Sequence, residues 1–289
     1  MKQEIGKSLW RDGMERMLKD KWATLSLIVV IIYSLVALLS ALGLLASDWS
    51  VEVGPSYAAP SAQYWFGTDI FGRDVLRKVI HGTQIAMSIG LVTSLVAIPI
   101  GVILGALAGY FGGWVDEVVV WLYTTMTSIP NIILLMSITL VLGKGLMAVY
   151  IALGVTSWVP LCRLIRGEVM KHKEREYVQA AHAIGGGHLR RLFLHILPNI
   201  THIVIINTSL QFQVAIKSEV ILSYLGIGVQ NEPSWGKMIN DASSELMRAE
   251  PVWWQIAGAT FAMFFVVLAF NVLGDALRDA LDPKLKGKD

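Results

Sequence analysis

The side chains most suited to chemistry are few and widely separated along the chain. Six histidines raise the question of a metal site, because imidazole is a common ligand of transition metals. Two of them, His81 and His202, lie near opposite ends of the apolar segments and cannot share an ion. We expect the other four, all in one polar stretch, to face water or a partner protein: His172, His182, His188 and His195. The sequence therefore predicts no metal site.

Lys217 and Glu219 are the notable charges within an apolar segment. Ionisable groups are costly in a membrane and usually pair or face an aqueous cavity. The i, i+2 spacing points these two to opposite sides of a helix, so they should not pair with each other. Together with Asn207 and Gln211 they are candidates for a polar pathway, although helix packing, or snorkelling of Lys217, explains the same residues. A further hypothesis pairs Glu219 with Arg73 of an outer loop.

No set of residues indicates an enzyme. Catalysis would need a nucleophile, an acid–base pair or a metal cluster converging near one interface, and the sequence offers none. The single cysteine, Cys162, has no partner for an internal disulfide or a cysteine-based metal site. The chain also lacks a G-x-x-x-x-G-K-[ST] run, so it lacks the phosphate cradle needed to hydrolyse ATP itself.

The segments that must position these residues are mostly apolar. The chain has 289 residues, of which 54% are hydrophobic and 16% charged, and its mean hydropathy is +0.57. Such values are typical of a membrane protein with several spans, and runs of about 20 apolar residues mark those spans. We predict an all-α membrane protein with six transmembrane helices: Trp22–Ala46, Ile85–Tyr110, Val118–Leu142, Leu146–Leu164, Ile200–Leu222 and Val252–Leu273.

Positive charge is divided unevenly between the two faces that six spans create. Residues 1–21, 163–191 and 278–289 carry six, seven and four Lys or Arg, 17 in all, whereas the loops of the opposite face carry six. Because positive charge favours the cytoplasmic side, we predict that both termini and residues 176–199 are cytoplasmic. The first apolar run is about twice as long as that of a signal peptide, which predicts an uncleaved anchor.

The spans divide the chain into a cytoplasmic segment, an anchor helix, an outer loop, a core of five spans and a cytoplasmic tail, at residues 1–21, 22–46, 47–84, 85–277 and 278–289. A helical stripe in the outer loop predicts a helix lying on the membrane surface: Val75, Leu76, Val79 and Ile80. A similar stripe before the last span predicts a second outer helix: Trp235, Met238, Ile239, Ala242 and Leu246.

Two patterns concern the packing of the spans. Gly101, Gly105 and Gly109 recur every four residues, a spacing that lets helix backbones approach closely in lipid. Pro99 and Pro130 lie inside predicted spans, where proline removes a backbone hydrogen bond and kinks the helix. We therefore expect one close helix contact and two kinks.

One stretch between apolar spans reads like soluble protein: EYVQAAHAIGGGHLRRLFLHILPN, from Glu176 to Asn199. Three glycines, at residues 185–187, separate two helices that are each too short to be stable alone in water. A helix–glycine–helix segment of this kind is suited to docking into a groove of a partner protein. Two apolar faces have helical spacing: Tyr177, Ala180, Ala181 and Ile184 in the first helix, and Leu189, Leu192, Phe193 and Ile196 in the second.

This stretch resembles the EAA loop of ABC importer permeases. The resemblance rests on Gln179-Ala180-Ala181, on Gly185 after three intervening residues, and on the closing Leu197-Pro198. Gln179 stands where the family usually has Glu, and His195 where an apolar residue is common. In that family the loop sits in a cleft of the ATPase subunit and transmits nucleotide-driven closure to the spans. The resemblance implies a coupling loop over residues 167–197, with ATPase contacts that also include Glu176 and Arg190.

Three more stretches are similar to the dipeptide/oligopeptide/nickel permease family, and within it to the C-type permease: FGTDIFGRDVLRKVIHG (66–82), LSYLGIGVQNEPSWGKMI (222–239) and LGDALRDALDP (273–283). The resemblance implies the type I ABC importer permease fold in a bacterial inner or plasma membrane. It also implies partners: a homologous permease, two cytoplasmic ABC ATPases that bind ATP and Mg, an extracytoplasmic solute-binding protein, and membrane lipid. This chain is then expected to bind no cofactor and no nucleic acid.

The outer motif and the substrate leave alternatives open. Gly67, Asp69, Gly72, Arg73 and Asp74 either contact the binding protein or tie the loop to the bundle through ion pairs, and we favour the structural role. Small peptides are the leading substrate; nickel, a metal chelate or another small solute is the alternative. An ion-coupled secondary transporter would also carry polar residues at mid-membrane, but it would not need the helix–glycine–helix segment.

Overall fold

The computed structural model describes residues 17–281 and is built almost entirely of helices. In chain order these are α1 (Lys21–Ala41), α2 (Val75–Phe111), α3 (Gly113–Thr127), α4 (Asn131–Leu142), α5 (Leu146–Thr156), α6 (Val159–Lys173), α7 (Glu176–Ala183), α8 (His188–Arg190), a π-helical turn (Arg191–Ile196), α9 (Leu197–Tyr224), α10 (Trp235–Glu245) and α11 (Trp254–Leu281). Extended backbone in residues 17–281 is limited to two isolated bridges, Glu52 with Arg73 and Thr68 with Asp74. The predicted all-α fold class is confirmed.

Helices long and apolar enough to cross a membrane account for most of the chain. There are five in the described residues: Lys21–Ala41, Val75–Phe111, Leu146–Lys173, His188–Tyr224 and Trp254–Ala280. The pair α3 and α4, bent by 87° at its break, makes a sixth when it is counted as one broken span. This count agrees with the prediction of six spans. Much of their surface is apolar, as in α1, where Trp22 and Ile31 are more than half exposed.

The bundle has two distinguishable ends. We call the end that holds the loop of residues 42–74 together with α10 the outer end, and the end that holds α7 the inner end. Helix α2 runs between them, and its 37 residues correspond to a length of about 55 Å. The predicted terminal segments, 1–21 and 278–289, lie largely outside the described residues.

Two predicted boundaries at the outer end are wrong. The first span ends at Ala41 instead of Ala46, because Gly43 and Ala46 have φ values of 72° and 54° that an α-helix does not allow. The predicted surface helix is the beginning of α2, which runs without a break from Val75 to Phe111. Its apolar stripe packs against Trp235 and Met238 in a buried cluster and does not lie on lipid.

The predicted second outer helix is confirmed as α10. Its first residue follows Ser234, whose hydroxyl accepts a hydrogen bond from the Lys237 amide and so caps the helix. The stripe predicted from the sequence faces the bundle, since Trp235, Met238 and Ala242 are buried. Leu246 differs, because it follows the end of the helix and is 40% exposed.

The two span prolines have different consequences. At Pro130 the predicted kink is confirmed as a complete break: α3 ends at Thr127, α4 begins at Asn131, and the two axes differ by 87°. Proline can begin a helix because its missing N–H needs no partner there. Helix α2, in contrast, continues through Pro99 to its end.

Helix α2 lies against α6 along the row of glycines. A Cβ atom placed on each glycine would lie 2.5–2.9 Å from a carbonyl oxygen of the facing chain, closer than side-chain carbons come to other atoms. The two rows have the same four-residue repeat, so the backbones meet along their length. The pairs are Gly101 with Trp158, Gly105 with Cys162 and Gly109 with Arg166.

We expect Gly105→Ala to destabilise the bundle by roughly 1–3 kcal/mol, because the added methyl group collides with the Cys162 carbonyl and forces α2 away from α6. The measurement is the thermal unfolding of the purified transporter in detergent. Gly167→Ala is the matched control, since it is a helical glycine of α6 whose added Cβ meets no atom within 4 Å. Equal melting temperatures for the two variants would contradict the close contact.

Candidate functional site

The predicted helix–glycine–helix segment is present at the inner end, and the glycines separate its helices as predicted. Helix α7 ends at Ala183, and the chain turns at Gly185, where φ is +84°. The Gly185 amide donates to the His182 carbonyl and the Gly186 amide to the Ala181 carbonyl, both at 2.9 Å. This is a Schellman motif, which satisfies the last carbonyl groups of a helix and places a left-handed residue after it.

The three glycines serve different purposes that the sequence does not distinguish. Gly185 is needed for its left-handed backbone, while a Cβ there would meet no atom within 4 Å. Gly186 is needed for space, because a Cβ there would lie 2.5 Å from the Ala181 carbonyl oxygen. Gly187 has neither requirement: its φ is −66° and its surroundings are open. Only the first two positions therefore demand glycine.

The apolar face predicted for α7 is only partly covered by the bundle. Val178 and Ala181 are the buried residues of α7, whereas Tyr177 and Ile184 of the predicted face are 37% and 87% exposed. Val178 joins a cluster with Val169 of α6 and with the second half of the segment. Because Ala181 points into the bundle, a bulky residue there would disturb internal packing and would not test the docking of a partner.

The second half of the segment contributes two buried anchors. Leu192 and Ile196 are fully buried in the same cluster, as their predicted face requires, whereas Leu189 and Phe193 of that face are 62% and 46% exposed. A polar contact adds to this packing, since the Tyr110 hydroxyl of α2 lies 3.2 Å from Nδ1 of His188. The segment is therefore held to the bundle by one side only.

The other side of the segment is apolar and exposed. We call its four large side chains, which are 46–87% exposed, the exposed apolar face: Ile184, Leu189, Phe193 and Leu194. The polar residues of the resemblance, Glu176, Gln179 and Arg190, are also exposed, and Gln179 Nε2 donates to the Glu174 carbonyl at 3.2 Å. Four large apolar residues exposed within residues 184–194, with exposed polar residues in the same segment, make this side a candidate protein–protein interaction site.

The segment continues directly into a span. Residues His188–Tyr224 form one helical run, in which a π-helical turn, Arg191–Ile196, joins α8 to α9. Leu197 and Pro198 begin α9, and proline is accepted in that first turn. Since no loop intervenes, a force applied to α8 reaches α9 through helical backbone. The sequence did not indicate the π-helical turn, a feature that is frequent at functional sites.

The outer motif is organised around Asp69. Its Oδ1 accepts hydrogen bonds from the amides of Phe71 and Arg73 at 2.8 and 2.9 Å, and its Oδ2 forms a buried ion pair with Lys78 at 2.9 Å. Asp74 caps α2 by accepting from the Leu76 amide at 2.8 Å. These contacts tie the loop to α2, an arrangement that fits the structural role favoured from the sequence.

The two motif glycines occupy positions that no other residue fills easily. Gly67 and Gly72 have φ values of +66° and +69°, in the region that favours glycine. A Cβ on Gly72 would also lie 2.0 Å from the Gly54 carbonyl oxygen. Arg73 differs from the other charged residues of the motif: its guanidinium stacks 4.7 Å over the Phe71 ring and forms no ion pair within residues 17–281.

Of the four pathway candidates, two share a cavity. Asn207 and Gln211 of α9 line a cavity of about 220 Å³ whose other walls come from the break between α3 and α4 and from the junction of α5 with α6. Its polar lining is amide and hydroxyl: Asn131, Thr156, Ser157, Asn207, Gln211 and Ser218. Lys217 is exposed and lies outside this lining.

Glu219 also lies outside this cavity, and the hypothesis that it pairs with Arg73 is wrong. Glu219 is only 1% exposed and accepts a hydrogen bond from the Ser223 hydroxyl at 2.6 Å, one helical turn away. The same hydroxyl accepts from the Val229 amide at 2.9 Å. Glu219 therefore fixes the end of α9 and the turn that follows it, using partners on its own segment.

Lys78, Gln255 and Glu245 were not singled out from the sequence, yet they form a buried polar group at the outer end. Lys78 is 6% exposed and donates to Asp69 and to Gln255 Oε1, the latter at 2.8 Å. Gln255 Nε2 in turn lies 3.5 Å from a carboxylate oxygen of Glu245. Lys78 lies outside the apolar stripe predicted for this part of the chain, so no pattern in the sequence indicated that it is buried.

Comparisons with known proteins agree with this geometry. The profile of the family "Binding-protein-dependent transport system inner membrane component" matches residues 101–287. A dipeptide transport system permease protein, DppC of Alkalihalophilus pseudofirmus, is 36% identical over 282 residues, which cover 96% of this chain and 91% of that protein. The oligopeptide permease OppC of Bacillus subtilis is 34% identical over 96% of this chain and 91% of its own length. The glutathione permease GsiD of Pectobacterium atrosepticum is 37% identical over 78% of this chain and 75% of its own length.

Proposed function

Because the chain belongs to the family of binding-protein-dependent transport system inner membrane components, we propose that it is the transmembrane permease subunit of an ATP-driven importer of small peptides. The similar relatives are named for dipeptide, oligopeptide and glutathione transport, which supports peptides over nickel, a metal chelate or another small solute. The chain lacks the phosphate-binding run of an ATPase. ATP and Mg are therefore assigned to two partner ATPase subunits.

The observation that carries this proposal is the exposed apolar face at the inner end. Four large apolar side chains project from a short helical segment whose other side is anchored by Leu192 and Ile196. A partner that covers this face moves α9 with it, because Leu189, Phe193 and Leu194 belong to the same helical run as α9. We assign the face to the groove of an ATPase subunit, and the residues Glu176, Gln179, Gly185 and Arg190 to the same contact.

A second permease is proposed to complete the pathway. The cavity at Asn207 and Gln211 is lined by polar groups from three spans of one chain, and the Gln211 amide nitrogen has no hydrogen-bond partner within residues 17–281. Exposing polar groups to lipid is costly, so a polar lining at this position favours a water-filled passage between two subunits. We propose a homologous permease as that subunit and an extracytoplasmic solute-binding protein at the outer end.

The orientation of the bundle follows from its basic residues and has a direct test. Both termini and the inner end are placed in the cytoplasm, and residues 42–74 outside. Single cysteines introduced at Ser56 and at His188, both exposed positions, are expected to react differently in a Cys162→Ala background. An impermeant thiol reagent added to intact cells should label position 56 and leave position 188 unlabelled. Labelling of position 188 from outside would reverse the assignment.

ATP depletion separates this function from the alternative of an ion-coupled transporter. In cells whose ion gradients are clamped, uptake of a radiolabelled dipeptide is expected to fall to the background of a strain without the chain once ATP is removed. The energy comes from the ATPase subunits, so the gradients alone should not sustain transport. Uptake that persists at the original rate would instead identify a secondary transporter.

A further inference from the structure

The outer end contains a cavity of about 580 Å³, which is larger than the cavity at Asn207 and Gln211. Its walls come from the 42–74 loop, the first turns of α2, helix α10 and the beginning of α11. The volume lies within the range of about 300–1,000 Å³ that is usual for small-molecule sites. About the length of α2 separates it from the exposed apolar face, so it does not belong to the inner docking site.

Most of the charges around the cavity are already paired. Lys78 forms its ion pair with Asp69, and Lys237 lies 3.2 Å from Asp241. Glu232 lies 3.4 Å from His81, a contact that is an ion pair only when the imidazole is protonated. In these contacts the charged groups satisfy one another, and the contacts hold together the elements that form the walls. They leave little attraction for a ligand.

Two oppositely charged groups in the lining, Arg73 and Glu245, form neither an ion pair nor a contact with a histidine in the described residues. The Arg73 guanidinium forms no hydrogen bond there, and its Nε atom is buried without a partner. Glu245 is 4% exposed, and the contact of its carboxylate with Gln255 is long, at 3.5 Å. One cation and one anion therefore line the same cavity unpaired.

The electrostatics of Glu245 agree with a missing cation. The pKa of its carboxyl is raised to about 7, chiefly by burial and in smaller part by the charges of Asp69 and Asp241, against the opposing effect of Lys78 and Arg248. An ammonium group placed beside this carboxyl would favour the ionised form and be bound by it.

We propose that the outer cavity is a receiving site for a short zwitterionic peptide, whose ammonium group contacts Glu245 and whose carboxylate contacts Arg73. This inference rests on the proposed import of peptides and adds a binding site on the permease itself. A guanidinium binds a carboxylate through paired hydrogen bonds, and the rings of Tyr57 and Phe71 in the lining offer apolar contact to peptide side chains. The two unpaired charges thus match the two ends of the ligand.

The test measures binding of dialanine, N-acetyl-dialanine and dialanine amide to the membrane complex purified without its binding protein, using saturation-transfer NMR. In the wild type, blocking either end of dialanine should weaken binding about tenfold, the loss expected for one charge-assisted contact. In Glu245→Gln, acetylation should cause no further loss, and in Arg73→Gln, amidation should cause none. Glu250→Gln and Arg77→Gln, outside the lining, serve as controls and should behave as the wild type.

The proposal is overturned if dialanine does not bind the wild type saturably, or if each derivative loses as much affinity in the variants as in the wild type. It is also overturned if the two variants impair only the docking of the purified binding protein, since the cavity would then hold a protein loop. Binding is measured here without ATP or uptake, so a negative result leaves ATP-dependent import standing, and that function fails only in the ATP-depletion experiment.

Discussion

Valine in place of Gly185 is expected to lower peptide-stimulated ATP hydrolysis of the reconstituted transporter about tenfold. A left-handed backbone costs an L-residue about 1–2 kcal/mol, and a β-branched residue more, whereas 1.4 kcal/mol already corresponds to tenfold. The effect is conformational and not steric, because a Cβ atom added at position 185 would have no atom within 4 Å. The strained turn misplaces α7 and Ile184 relative to the rest of the exposed apolar face, while the spans insert normally. The measurement compares stimulated hydrolysis at equal membrane levels of the permease.

Gly187→Val is the matched control for this variant. It makes the same substitution two residues away, where φ is −66° and the surroundings are equally open. Valine accepts that extended backbone readily, so hydrolysis should remain near the wild-type rate. Equal losses of hydrolysis in both variants would show that the left-handed backbone at Gly185 is not the cause of the loss.

Ile184→Asp is expected to have the second large effect, a loss of at least tenfold in the affinity of the ATPase subunits for the permease. Ile184 is 87% exposed in this chain, so the substitution should leave the fold intact. Burying an isoleucine in a partner's groove is worth about 1.5–3 kcal/mol, and a carboxylate there adds a desolvation cost. The measurement is co-purification or titration of the ATPases onto the permease in nanodiscs.

Met247→Asp controls for the introduction of a charge on an exposed apolar residue. Met247 is 90% exposed and lies at the outer end, after α10. Its substitution should not change the ATPase affinity. If Ile184→Asp binds the ATPases as tightly as Met247→Asp does, then the exposed apolar face is not the docking surface.

The membrane helices were predictable from the sequence because a span needs a long apolar run, and that requirement does not depend on what surrounds it. The ends of these helices were less predictable. His81 and Gly82 interrupt the hydropathy of α2 without interrupting its helix, since neither residue breaks backbone hydrogen bonds as proline does. Whether a proline ends a helix, as at Pro130 where the two axes differ by 87°, or lies within a continuous one, as at Pro99, depends on packing that a single sequence does not reveal.

In the helix–glycine–helix segment, too, the local backbone was predictable from the sequence and the tertiary contacts were not. The end of α7 at Gly185 follows from local backbone chemistry, and the prediction was right. The spacing of Tyr177, Ala180 and Ile184 predicted an apolar face without saying what covers it, and these three residues are exposed in this chain. Packing against Val169 of α6 and against the second half of the segment buries Val178 instead. Apolar periodicity indicates that a face will be covered, and it does not say whether the bundle or a partner covers it.

Charged groups were the hardest to place. Glu219 and Arg73 match each other in sign and lie at the same end of the membrane, yet Glu219 accepts its hydrogen bond from Ser223 one turn along its own helix. Lys78, which the predicted apolar stripe does not include, is the centre of a buried group with Asp69 and Gln255. Ion pairs depend on distances of a few ångströms between distant parts of the chain, and spacing along one sequence does not supply these.

The central claim, that residues 176–199 couple this permease to an ATPase, is tested most directly by a photo-crosslinking amino acid at position 184. Irradiation of the assembled transporter is expected to join the permease to an ATPase subunit, with a yield that changes when ATP is bound. The same group at position 247, on the outer end, should give no such product. Crosslinks from position 184 to lipid alone, in a complex that transports peptide at the normal rate, would contradict the claim.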